Sequence, residues 1–131
     1  RDEQEAAVFI DALLEKLNPL PCRKMLDVAC GRGRHSIHLA SKGYFVTGID
    51  ISTESIEDAL ESQKENLEFF VHDMRLPFRM NYYDFAFNFF TSFGYFRTRR
   101  EHDNAIRTIA QSIKTGGIFV IDYLNAHYVE T

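Results

Sequence analysis

A short apolar run that breaks at two glycines, followed by a second apolar run that ends in an acid, constrains the fold of this chain most. The first run, residues 25–29, leads into Gly31 and Gly33, and the second, residues 44–49, ends at Asp50. Glycine allows positive φ and lets a ligand approach the backbone where a Cβ would collide. A carboxylate at the end of the second strand can accept hydrogen bonds from both hydroxyls of a ribose. The pattern therefore predicts a strand–turn–helix–strand unit that binds a nucleoside.

The glycine run differs from the dinucleotide-binding fingerprint at one position. A G-x-G-x-x-G sequence requires glycine at residue 36, where this chain has Ser36, so binding of a pyrophosphate is disfavoured. Asp27 lies near the end of the predicted buried strand, four residues before Gly31. A carboxylate there would repel a phosphate and attract a cation. The motif therefore favours a cationic nucleoside over a nicotinamide dinucleotide.

Apolar segments and amphipathic segments alternate along the chain. Periodicity and capping residues predict strands at residues 24–30, 44–50, 67–72, 83–90 and 118–123, and helices at residues 2–17, 33–42, 52–66 and 100–114. Near-continuous apolar strands that alternate with helices predict a parallel sheet covered on both faces, a three-layer Rossmann-like α/β fold. Right-handed crossovers give the strand order 3-2-1-4-5, with the ligand crevice above the carboxyl ends of strands one and four.

Composition limits the classes of function. The 131 residues, of which 45% are hydrophobic, suffice for a single domain, residues 1–131. A formal charge of -4 gives no broad positive field, which disfavours a nucleic-acid partner, and the basic run at residues 97–100 is interpreted as a solvated helix start. No apolar stretch reaches the about 18 residues needed to span a bilayer, and the charged residues 1–5 do not resemble a signal peptide. A cytoplasmic protein without a membrane partner is expected.

The residue types that bind metals are not spaced for a metal site. Cys22 and Cys30 lie eight residues apart, which indicates neither a zinc motif nor a disulfide framework. His35 and His38 share a predicted helical face, but no carboxylate or thiol lies at ligand spacing. We interpret the two histidines as surface residues and predict no metal.

Four separated motifs resemble those of class I S-adenosylmethionine-dependent methyltransferases. Residues 27–33 resemble motif I of that family, and Asp50 matches its ribose-binding acid. Residues 71–75 resemble the motif after strand three, and residues 83–95 resemble motif IV of small-molecule methyltransferases, including sugar-amine N-methyltransferases. Residues 115–125 resemble the glycine turn and fifth strand of the same fold.

The resemblance implies S-adenosylmethionine as the cofactor and a small molecule with an N, O or C nucleophile as the methyl acceptor. The residues that it places against the cofactor are Asp27, Ala29, Cys30, Gly31, Arg32, Gly33, Asp50, Ile51, Asp73, Met74, Asn88 and Phe89. Within this set, Asp27 would orient the methionine ammonium, and Asp73 would meet the adenine amine with Met74 against the ring. The residues expected to face the substrate are Tyr95, Tyr123 and Asn125, with Phe90 and Phe93 as pocket walls. No catalytic base is assigned.

The chain is expected to be a partial domain. The family fold ordinarily ends in an antiparallel hairpin of strands six and seven, and this sequence is expected to stop after strand five and to lack that hairpin. Three alternatives stay open: a nicotinamide-dependent oxidoreductase, a cofactor-binding module without catalytic activity, and a nucleic-acid methyltransferase. The last is disfavoured because residues 88–91 are Asn-Phe-Phe-Thr rather than an Asn-Pro-Pro-Tyr-like run. The acceptor and the oligomeric state are left open.

Overall fold

The computed structural model describes residues 3–89, 98–122 and 126–130. In chain order, the elements in these residues are α1 Glu3–Leu17, β1 Lys24–Val28, α2 Arg34–Ser41, β2 Phe45–Asp50, α3 Thr53–Leu60, β3 Leu67–Val71, β4 Tyr83–Asn88, α4 Arg99–Gln111, β5 Ile113–Asp122 and β6 Ala126–Glu130. All of the predicted helices and strands are present. Two ends differ clearly from expectation, because α3 ends at Leu60 and β5 begins as early as Ile113. Within the described residues, no helix is both long enough and apolar enough to cross a membrane.

The six strands form one sheet in the order β3-β2-β1-β4-β5-β6. All pairings among the first five strands are parallel, which confirms the predicted order 3-2-1-4-5. Helices α1, α2 and α3 contribute to a hydrophobic cluster on one face, and α4 contributes to a second cluster on the other. Alternate residues of β1 divide between the two faces, with Met25 in the first cluster and Leu26 and Val28 in the second. The predicted three-layer α/β architecture is therefore confirmed.

The expectation that the sheet ends at strand five is wrong. β6 pairs antiparallel with β5, from Asp122 opposite Ala126 to Ile118 opposite Glu130. Without this partner, β5 would present a row of unpaired backbone N–H and C=O groups at the sheet edge. An antiparallel neighbour needs only a short chain reversal, whereas a parallel one needs a long crossover. The parallel sheet thus has an antiparallel edge strand, a common arrangement in α/β folds.

The glycine pair that was predicted as a turn before strand five lies inside β5. The register with β4 shifts between Tyr83 and Phe85, and Gly116 has a φ of 86° at this irregularity. A Cβ on Gly117 would lie 2.8 Å from the carbonyl oxygen of Asp84. The glycines therefore permit a bulge that brings β5 back into register beside β4.

The connection between β3 and β4 lacks a helix and is held by Arg79. The guanidinium donates hydrogen bonds to Glu68 Oε2 at 2.5 Å and to the Tyr83 hydroxyl at 3.1 Å. It also lies 5.3 Å from the ring centroids of three aromatic residues, Phe70, Phe78 and Tyr82. These contacts cover part of the α4 side of the sheet next to β3 and fix the start of the segment that leads into β4.

Candidate functional site

The loop between β1 and α2 is shaped by three residues with left-handed backbone conformation. Ala29, Gly31 and Gly33 have φ values of 58°, 58° and 87°. Glycine adopts this conformation readily, whereas alanine pays about 1–2 kcal/mol. Strain of this kind at a non-glycine residue is typical of ligand sites. Gly33 then caps α2, so the positive end of the helix dipole lies at the carboxyl edge of β1.

Asp50, at the end of β2, is fixed by two backbone amides. Gly31 N donates to Asp50 Oδ2 at 2.8 Å, and Ser52 N donates to Asp50 Oδ1 at 2.8 Å. An ionised carboxylate has about four lone-pair sites. Each oxygen can therefore accept a further hydrogen bond while the carboxylate stays in place. Asp50 is thus in direct contact with the glycine loop.

Asp27 lies beneath the same loop and is 1% exposed. Its Oδ2 accepts a hydrogen bond from Ser36 Oγ at 2.5 Å, and Oδ1 has no hydrogen-bond partner among the residues that the structure describes. Burial raises the pKa of Asp27 to about 7, with the negative charge of Asp50 acting in the same direction and the Ser36 hydroxyl opposing it. A buried carboxyl with one oxygen left over fits a site that receives a cation.

Ser36 belongs to the candidate site, although the sequence pattern had not indicated it. It was interpreted only as the absence of a third glycine, but its side chain is buried and binds Asp27. The residue lies in the first turn of α2, which the glycine loop places over the end of β1. A hydroxyl at a glycine position, nine residues after an acid in the preceding strand, is the sequence signal that could have suggested the pair.

The burial of Asp27 predicts that folding stability falls as the pH rises. Its pKa is raised from 3.8 to about 7 in the folded state, so between these values the folded chain keeps a proton that the unfolded chain has lost. This contribution is fully present below about pH 4 and is lost as the pH passes about 7, a change on the order of 4 kcal/mol. Urea unfolding of the wild type and the Asp27→Asn variant at several pH values measures it.

The comparison with Asp27→Asn separates this effect from the other titrating groups. The wild type should lose about 2–3 kcal/mol relative to the variant between about pH 5 and about pH 8, because only the wild type carries the buried acid. A stability difference between the two proteins that does not change with pH would contradict the prediction.

Three further predicted cofactor residues, Cys30, Arg32 and Ile51, differ in their burial and contacts. Cys30 is buried, and burial raises the pKa of its thiol well above the usual range, so it packs as a small neutral residue. The side chain of Arg32 leaves the loop and forms an exposed ion pair with Asp58. Ile51 follows Asp50 and is 66% exposed, an apolar surface next to the carboxylate.

Asp73 and Met74, the predicted adenine-binding residues after β3, both have contacts within the protein. Asp73 accepts a hydrogen bond from the backbone amide of Arg75 at 2.9 Å, and the Arg75 guanidinium donates to both of its carboxylate oxygens. These bonds hold the pKa of Asp73 below its usual range. Met74 is partly buried and packs against the core on the α4 face. Asp73 would have to share its carboxylate with Arg75 in order to meet an adenine amine.

The end of β4 is packed beside the loop. Asn88 is buried, and its Nδ2 donates to the carbonyl of Val28 at 3.1 Å. Phe89 stacks on His35, with ring centroids 4.5 Å apart and an interplanar angle of 22°, and meets Phe9 edge-on at 5.7 Å. The structure thus brings the ends of β1 and β4 together with the first turn of α2.

The interpretation of His35 as a surface residue is wrong, because it is 1% exposed. Its place in the first turn of α2 turns the ring toward Phe89. His38, one turn later, lies nearer the surface and bonds Asp11 of α1 through Nε2 at 2.8 Å. No group of three or more histidine, cysteine or acidic side chains in the described part of the chain is arranged to hold a metal.

The predicted substrate-facing residues lie outside the described part of the chain. They are Tyr95, Tyr123 and Asn125, together with the pocket candidates Phe90 and Phe93. Their roles therefore stay predictions. The described site consists of the glycine loop, Asp27 with Ser36, Asp50, and the end of β4.

Comparisons with known proteins agree with this geometry. A family model described as a methyltransferase domain matches residues 25–117. The chain is 29% identical over 135 residues to glycine N-methyltransferase of Oryctolagus cuniculus, an alignment that covers 89% of this chain and 46% of the relative. The chain therefore spans about half the length of this relative.

Solved structures share the fold. The sugar N-methyltransferase KedS8 from Streptoalloteichus sp. matches with a TM-score of 0.80 and 25% identity, over 94% of this chain and 49% of that one. CalS10 from Micromonospora echinaspora, an amino pentose methyltransferase solved with S-adenosylmethionine bound, matches with a TM-score of 0.77 and 22% identity, over 94% of this chain and 51% of that one. Because the family match spans well over half of the 131 residues and includes the glycine loop and Asp50, this chain belongs to the methyltransferase-domain family, the S-adenosylmethionine-dependent methyltransferases of the class I fold.

Proposed function

We propose that this chain binds S-adenosylmethionine across the carboxyl ends of β1, β2 and β4 and serves methyl transfer to a small-molecule acceptor. The observation that carries the proposal is the pair of backbone hydrogen bonds that fix Asp50 beside the glycine loop. A ribose needs an acceptor that is already oriented and has lone pairs left, and Asp50 meets both conditions. The loop provides the close backbone approach that the rest of the nucleoside requires.

The remaining residues of the site suit the other parts of the cofactor. Asp27 would attract the methionine ammonium, and its unbonded Oδ1 is the observation that favours this role. Because its carboxyl is buried, it would act through its charge beneath the loop rather than as an open surface ligand. Ile51 offers an exposed apolar surface beside Asp50, and Asp73 and Met74, which follow the neighbouring strand, would border the adenine. Asn88 and Phe89 would border the methionine part from β4.

Methyl transfer requires few protein side chains that react chemically. When bound, S-adenosylmethionine would supply an electrophilic methyl group: the acceptor's nucleophile would attack the methyl carbon opposite the sulfonium, and the carbon–sulfur bond would break with its electron pair leaving on sulfur as the thioether S-adenosylhomocysteine. The described residues bind and orient: Asp50 fixes the ribose, and the packed end of β4 and the loop set the position of the methionine part. Such positioning can contribute roughly 7–11 kcal/mol to lowering the barrier. A proton-accepting residue for the nucleophile is not assigned.

A small-molecule acceptor is favoured over a nucleic acid. Glycine N-methyltransferase and the sugar N-methyltransferase KedS8 are relatives whose names specify small acceptors. The net charge of -4 gives no field for a phosphate backbone. An acceptor with a primary or secondary amine is the class we would assay first.

Titration calorimetry tests the proposal. We expect S-adenosylmethionine to bind saturably and NADH not to bind, because Ser36 replaces the third glycine of a dinucleotide site. Transfer of a labelled methyl group to glycine and to amino sugars then tests the acceptor class. Binding of NADH alone would overturn the cofactor assignment. Cofactor binding without transfer to any amine or hydroxyl acceptor would favour a binding module.

A further inference from the structure

The described residues around the buried Asp27 carboxyl supply a hydroxyl and a second acid. Ser36 on α2 contacts the carboxyl directly, and Asp50 on β2 is the group whose charge acts on it. Among the described residues, no lysine or arginine forms an ion pair with Asp27, and the neighbouring positions on β2 and β4 are Gly48 and Phe87. The ring of His35, next to Ser36 on α2, stacks on Phe89. Burial in such surroundings shifts the equilibrium of a carboxyl toward its neutral form.

We propose that binding of the cofactor at this site releases a proton from Asp27 to the solvent. The inference rests on the proposed function, since it requires that the methionine ammonium arrives near the loop. The O–H bond of the neutral carboxyl breaks, the electron pair stays on the carboxylate, and the proton passes to the buffer. The ammonium keeps its own protons, so the bound state contains a cation beside an anion where the free protein had a neutral acid.

Such coupling makes the affinity depend on pH in a definite direction. At low pH, part of the interaction energy is spent on removing the proton, so binding is weaker than at high pH. An opposite charge at close range lowers the pKa of a carboxyl by about 1–3 units, which predicts binding about 5- to 10-fold weaker at about pH 6 than at about pH 8. Proton exchange at any other position contributes to the wild type and to a variant at position 27 alike, so the difference between the two proteins isolates Asp27.

A substitution at Ser36 changes the protonation equilibrium of Asp27 without replacing the carboxyl itself. Its hydroxyl donates to Asp27 Oδ2 at 2.5 Å and so favours the ionised form. Removal of the hydroxyl by Ser36→Ala should shift the pH dependence of cofactor affinity toward higher pH without abolishing it. A purely structural role for Ser36 would lower affinity equally at every pH.

Calorimetry with S-adenosylhomocysteine in two buffers of different ionisation enthalpy measures the released proton directly. The wild type is expected to release about 0.4 to 0.9 proton at about pH 6 and about 0.1 or less at about pH 8, where Asp27 is mostly ionised already. Asp27→Asn keeps the size of the side chain but has no proton to lose, so it should show less release at the lower pH. 5′-Methylthioadenosine, which lacks the ammonium, should show less release than S-adenosylhomocysteine on the wild type.

The outcomes separate this inference from the proposed function. If S-adenosylhomocysteine does not bind the wild type at any pH, the proposed cofactor site is wrong, and the proposed proton release is wrong as well. If it binds, and the wild type and Asp27→Asn release equal numbers of protons, only the linkage is wrong. Should Asp27→Asn fail to fold, the comparison of Ser36→Ala with the wild type decides, because an unshifted pH profile would overturn the proposal.

Discussion

Replacing Asp50 with alanine is expected to weaken binding of S-adenosylhomocysteine by about 10- to 150-fold, or roughly 1.5–3 kcal/mol. The variant loses the charged acceptor proposed for the ribose hydroxyls. It also removes the partner of the Gly31 amide, a 2.8 Å hydrogen bond that ties the glycine loop to β2. Both losses act on the bound cofactor, the first directly and the second through the position of the loop. Calorimetric titration of the purified variant measures the effect.

Two further variants make this result interpretable. Asp50→Asn keeps the shape of the side chain and should retain more affinity than Asp50→Ala, because an amide oxygen can still accept one of the hydrogen bonds. Asp103→Ala removes an exposed carboxylate on α4 that lies 3.9 Å from Arg99, and it should leave affinity within about twofold of the wild type. If Asp50→Ala binds within about threefold of the wild type, Asp50 does not hold the ribose.

The contact between Asp50 and the glycine loop could be predicted because it depends on topology rather than on detail. Apolar strands that alternate with helices leave few arrangements once crossovers are right-handed. In the order confirmed here, β1 and β2 are neighbours, so the residues that follow them meet at the same edge. Gly31 and Asp50 are therefore brought together by the strand order alone.

Contacts made by the first turn of α2 could not be predicted in the same way. Which residues of that turn are buried depends on the rotation of the helix about its axis, and the left-handed residues of the loop set that rotation. A small change in rotation would expose His35 and point Ser36 away from Asp27. Strand β6 was missed for a related reason, since its five residues pair through a tertiary contact with β5 rather than through a strong local pattern.

Gly48→Ala in β2 is expected to lower the free energy of unfolding through a steric clash. A Cβ at this position would lie 2.6 Å from Phe69 Cδ1 and 2.9 Å from Cys30 Sγ. Both neighbours are buried, so neither can move into solvent. Overpacking of this kind costs about 1–3 kcal/mol and occasionally more. Urea unfolding at one pH measures the loss, and the affinity for S-adenosylhomocysteine should fall as well, because Phe69 also faces Gly33 of the loop.

A second substitution at Phe69 tests the cause. Phe69→Leu shortens the ring that blocks the new methyl group, so it should restore at least about 1 kcal/mol in the Gly48→Ala background, although it costs stability on its own. Gly43→Ala is the matched control for a glycine substitution without a clash: no atom lies within 4 Å of its Cβ position, and only its φ of 93° is strained. Gly33→Ala combines both problems and should be rescued only in part, since its φ of 87° remains. If the costs of Gly48→Ala and Phe69→Leu simply add, the ring is free to move and the space between β2 and the loop is not tightly filled.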